Sequence, residues 1–130
     1  MSLNVPDALL DQAEQGEIDD AAFVECVRTS LPYAWDTITR VIGNLEVSGG
    51  DFADDNTSPP DEQARGQLLR ALASDSIRGA LERHFDVKLA FQNCCRVGAF
   101  SPEAAERDHY RKFTSTRAQI LNQTPELRDC

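Results

Sequence analysis

Apolar side chains recur at helical spacing through most of this chain. Phe23, Cys26, Val27, Ser30 and Leu31 fall at i, i+3, i+4, i+7 and i+8, one stripe of a helix begun at Asp19 or Asp20. Pro32 interrupts it, because proline has no backbone donor to continue the ladder. Trp35, Ile38, Val41, Ile42 and Leu45 then carry the same period from about Tyr33 to Gly49-Gly50. Leu68, Leu69 and Leu72 mark a further helix over Pro60–Ala73, with Ser58 and Asp61 at capping-box spacing and Pro59 at its first position. Ile77, Leu81 and Phe85 extend that stripe beyond a break at Ser74-Asp75-Ser76. A short first helix over residues 5–15 is bracketed by Pro6 and Gly16.

Toward the C-terminus the pattern changes. Val87, Leu89 and Phe91 alternate with Lys88 and Ala90, the period of a strand, yet the same residues also suit a buried helix. No other run offers itself for pairing, so helix is the expectation over 86–100. Ser101-Pro102-Glu103 opens another helix, led by Glu103 and Glu106 and closed by Arg111 and Lys112 in accord with the helix dipole. Thr114 or Ser115 caps a last short helix through Leu121, Pro125 lies beyond it, and the tail Glu126–Cys130 is expected to be loosely held. The fold class is therefore mainly α: a bundle of about five short helices, with a short strand allowed within 86–100, in one domain spanning residues 1–130.

Composition adds bounds. With 130 residues and 41% hydrophobic content the chain can bury a core without a metal or a disulfide framework. No apolar run approaches the roughly 20 residues of a membrane span. The N-terminal Met-Ser-Leu-Asn has neither the basic nor the apolar region of a secretory signal, so the expected compartment is the cytoplasm, with reduced cysteines. The glycine-rich nucleotide loops, the H-E-x-x-H metal motif and the G-x-S-x-G elbow are all missing from the sequence. No cofactor, bound metal or small-molecule ligand is expected.

The net charge is −9, unevenly distributed. Residues 1–62 hold 14 acids against Arg28 and Arg40, a balance of −12; residues 63–130 hold 11 bases and eight acids, a balance of +3. Such halves suit complementary surfaces that meet within one chain or between two. Asp51, Asp54 and Asp55 in the loop over 49–60, and Arg107, Arg111, Lys112 and Arg117 in the basic half, are the candidate interaction residues. The loop has twelve-residue calcium-site spacing from Asp51 to Glu62, but Ala53 and Asn56 stand where an acid and a glycine are needed.

Two chemical sites compete with a protein-interaction role. Cys94, Cys95 and His84 form a candidate thiol site, for a thiol-dependent or metal-binding enzyme. A lowered thiol pKa needs a neighbouring cation, and Arg96, His84 and Lys88 are near in sequence. Adjacent cysteines, however, rarely converge on one tetrahedral zinc. His109-Tyr110-Arg111-Lys112-Phe113 and Arg117 mix bases with rings, as in single-stranded nucleic-acid binding, although overall acidity opposes phosphate affinity. The function expected is a non-catalytic helical adaptor or self-associating module, with a protein partner or a second copy and no membrane.

Overall fold

The computed structural model describes residues 2–92 and 94–122; the expectations for Pro125, Glu126 and Cys130 lie outside the described residues. Helix α1 (Asp7–Gln15) starts after Pro6 and stops at Gly16, whose φ of 79° is the left-handed conformation that glycine adopts without penalty. Helix α2 (Asp20–Ser30) is capped by the Asp19 side chain, which accepts from the Ala21 amide at 3.1 Å. Pro32 then serves as the first residue of α3 (Pro32–Ser48). Helices α4 (Glu62–Leu72) and α5 (Asp75–Phe85) are separate, divided where Ser74 caps the second. The cap of α4 is Asp61 rather than Ser58: its backbone is extended and its carboxylate accepts from the Ala64 amide at 2.8 Å.

The stretch 86–100 is not a helix. It forms a hairpin of β2 (Lys88–Gln92) and β3 (Arg96–Phe100), antiparallel, with Gln92 opposite Arg96. The partner that the sequence pattern did not reveal is β1 (Phe52–Asp55), inside the stretch expected to be an acidic loop; it pairs antiparallel with β3, giving the order β1-β3-β2. Cys95, at φ 68°, makes the tight turn between β2 and β3. Beyond β3, residues Pro102–Glu106 form a 3-10 helix, followed by α6 (Asp108–Phe113) and α7 (Thr116–Leu121), the latter capped by Ser115. The single helix expected from Ser101 is thus broken at Arg107.

The architecture is mostly helical with a small three-stranded antiparallel sheet. Alternation along β3 decides what each face of the sheet covers. Val97 and Ala99 join the main core with Val27, Leu31, Ile38, Val41, Leu68, Leu72 and Leu81, where α3 packs on β1 and β3. Phe100 turns the other way, into a second cluster with Ala90, Ala104 and Phe113 under the 3-10 helix and α6. No helix among the described residues is long and apolar enough to cross a membrane.

Candidate functional site

The acidic strand finds its partners within the chain. Asp51 is paired with Arg107 and also accepts from the Ser101 hydroxyl at 3.0 Å. Asp54 is paired with Arg96 at 2.7 Å, and Asp55 with Arg40. A fourth acid, Asp20 at the start of α2, takes a two-point contact from Arg83 at 2.9 and 3.1 Å. Three of these four pairs join an acid of the first half to a base of the second. Much of the uneven charge is therefore met inside the fold. Burial pushes the Asp55 carboxyl up, but bonds from the Thr57 hydroxyl and amide and from Arg40 outweigh it and hold the group below the usual carboxylate range.

Arg96 sits at the centre of an aromatic cluster. Its guanidinium lies 4.9 Å from the Phe113 ring centroid and 5.9 Å from that of Phe52, within cation–π range. Phe52 and Phe100 stack at 4.8 Å, and Phe100 meets Tyr110 and Phe113 edge-on at 5.1 and 5.5 Å. Gly98 allows this close approach, because a Cβ there would stand 3.0 Å from the Phe113 ring. Gln92, Arg96, His109, Lys112 and Phe113 line a hollow of about 230 Å³ beside the cluster. Phe113 is buried against the sheet and Tyr110 packs on Phe100, so neither offers an open ring for a base to stack on. Arg111, Lys112 and Arg117 lie at the exposed surface of α6 and α7. Phe52, Gly98 and Phe100 were not singled out from the sequence, and Arg96 only as a cation near the cysteines; glycine within an apolar alternating run, a mark of close backbone or ring approach, was the available signal.

The thiol candidates occupy unlike surroundings. Cys95 is buried in the main core, and burial pushes its thiol up, away from the thiolate that nucleophilic or metal chemistry requires. Cys94 is disulfide-bonded rather than the reduced thiol expected. His84 lies exposed at the end of α5, edge-on to Phe85 at 4.7 Å. Among the described residues no group of three or more His, Cys, Asp or Glu side chains could hold a metal.

A different region stands open. Val5, Leu9, Leu10, Ala13, Ile18 and Phe23 line a hollow of about 210 Å³ between α1 and the start of α2, with no polar lining. Leu9 closes its floor, while Val5, Leu10 and Ile18 are 46%, 50% and 54% exposed. Four exposed acids share its segment of the chain: Asp7 and Glu14, one turn before and one turn after Leu10 on α1, Asp11 next to Leu10 in sequence, and Glu17 next to Ile18. None of the ion pairs among the described residues involves these four. Residues 1–27 contain seven acids and no Lys, Arg or His, so no basic side chain of this segment offsets them.

The chain belongs to the family described as NucS shadow ORF, whose match covers residues 1–130. No curated protein and no solved structure matches it.

Proposed function

We propose that this protein is a non-catalytic interaction module that docks a partner polypeptide in the hollow between α1 and α2. The observation that carries this reading is the wholly apolar hollow with three half-exposed aliphatic side chains at its rim. Large apolar side chains grouped on a surface remain costly in water until something covers them. Asp51, Asp54, Asp55 and Arg107 are occupied by internal ion pairs, and Cys95 lies in the core, which supports binding over thiol chemistry.

A helix is the partner element that presents a matching stripe of apolar side chains to such a hollow. The test uses a fluorescent helical peptide with leucines along one face and glutamines elsewhere, titrated with the protein and followed by anisotropy. Saturable binding is expected, weakened at least about tenfold by the double substitution Leu10→Ser and Ile18→Ser, each of which removes apolar contact at the rim. Absence of binding, or binding indifferent to the double substitution, would overturn the reading.

A further inference from the structure

We infer that the partner helix is cationic: its apolar stripe enters the α1–α2 hollow while lysine or arginine side chains flanking that stripe meet Asp7, Asp11, Glu14 and Glu17. This inference rests on the docking reading above and adds the chemistry of the occupant. Its basis is charge complementarity. Elsewhere in the fold, several acids of the first half are matched by arginines: Asp20 by Arg83, Asp51 by Arg107, Asp54 by Arg96. Around the hollow none is. Four carboxylates stand there without an ion pair among the described residues, in a segment with no base before Arg28.

Their positions explain how selection would work. Asp7, Asp11 and Glu14 recur at i, i+4 and i+7, so they form one line along α1, on the Leu10 side of its apolar face, with Asp7 and Glu14 each one turn from Leu10. A docked helix whose leucines sit on the apolar face brings its flanking residues over that line. Lysine or arginine there gains several exposed ion pairs, each weak alone and stronger together. Glutamate there meets like charge and is rejected. A symmetric contact between two copies through this same face would set the four carboxylates of one against those of the other, so a second copy is disfavoured as occupant.

Three helical peptides of equal length, identical in their leucine stripe and carrying Lys, Gln or Glu elsewhere, separate the possibilities by anisotropy. The Lys peptide is expected to bind about tenfold tighter than the Gln peptide, and the Glu peptide about tenfold weaker. The differences should shrink at ~1 M salt, where the screening length falls to ~3 Å. Replacing the four acids together (Asp7→Asn, Asp11→Asn, Glu14→Gln, Glu17→Gln) should level the three affinities while leaving the Gln peptide bound. Equal binding of all three peptides to the wild type, still abolished by Leu10→Ser and Ile18→Ser, would overturn the cationic partner and keep the docking reading. Binding of the Lys peptide that ignores the serine substitutions would overturn both, since charge alone would then account for it. A sedimentation shift with protein concentration, lost in the serine variant, would put a second copy in the hollow and overturn the cationic helix.

Discussion

The sheet's aromatic face and the α1–α2 corner are built from the same ingredients, apolar side chains beside charges, and reach opposite ends. On the aromatic face every ingredient is closed off from within the chain. Phe52, Phe100 and Phe113 cover one another, and Arg96 lies over two of those rings with Asp54 at 2.7 Å. At the corner, Val5, Leu10 and Ile18 are half exposed and the neighbouring carboxylates take part in no ion pair among the described residues. Residue type does not separate a structural cluster from a docking surface. What separates them is whether the rest of the chain returns to cover the group. β1 is covered because β3 and α6, some fifty residues onward, come back to it; nothing of the kind is described over α1.

That contrast is most sharply broken by cutting the closed face. Phe100 is fully buried and touches Phe52, Tyr110 and Phe113. Phe100→Ala should cost about 3–5 kcal/mol, measured as a fall in the urea midpoint at unchanged slope. For a domain whose whole stability is of order 5–15 kcal/mol, this is a large fraction of what holds it folded. A loss below about 1 kcal/mol would mean that the cluster does not bind the 3-10 helix and α6 to the sheet.

The same contrast accounts for what could be read from the sequence and what could not. α2, α3, α4 and α5 were legible because their signals are local: a stripe at i, i+3, i+4, a cap such as Asp19 and a break such as Ser74-Asp75-Ser76. The sheet was not, because its decisive contacts are distant. β1 has four residues, set between Gly49-Gly50 and Pro59-Pro60 where turn residues dominate, and it becomes a strand only by pairing with Val97–Phe100. Without that partner, the alternation of Val87, Leu89 and Phe91 had nothing to pair with and helix remained the better reading. For the same reason Asp51, Asp54 and Asp55 looked available to a partner when their arginines lie 56, 42 and 15 residues away. Helix α1 was legible from Pro6 and Gly16, and neither residue says which of its side chains the fold leaves uncovered.

A smaller effect tests whether the acidic strand is truly engaged within the fold. The folded-state pKa of Asp55 is depressed, so its contribution is present above the unfolded carboxylate value of about 3.9 and is lost as pH falls through the lower folded value. Asp55→Asn should therefore destabilise by about 1 kcal/mol near neutral pH, with the half-exposed Arg40 keeping the effect modest. Wild type and variant should converge in stability as pH is lowered through that window. A difference that stays constant with pH would assign the loss to packing and would remove Asp55 from the charged pairs.

The smallest effect belongs to the open corner, and its smallness is what makes it informative. A side chain that supports the fold cannot be made polar without cost, whereas one that awaits a partner can. Leu10 and Ile18 are 50% and 54% exposed, so the serine double variant should keep its thermal midpoint within a few degrees and its unfolding free energy within about 0.5 kcal/mol per site. Loss of peptide binding in that same protein then reports on the hollow alone, because the framework around Leu9 and Phe23 is unchanged. If instead the double variant unfolded several degrees lower, Leu10 and Ile18 would be holding α1 onto α2, and the corner would belong with the aromatic face as a part of the core.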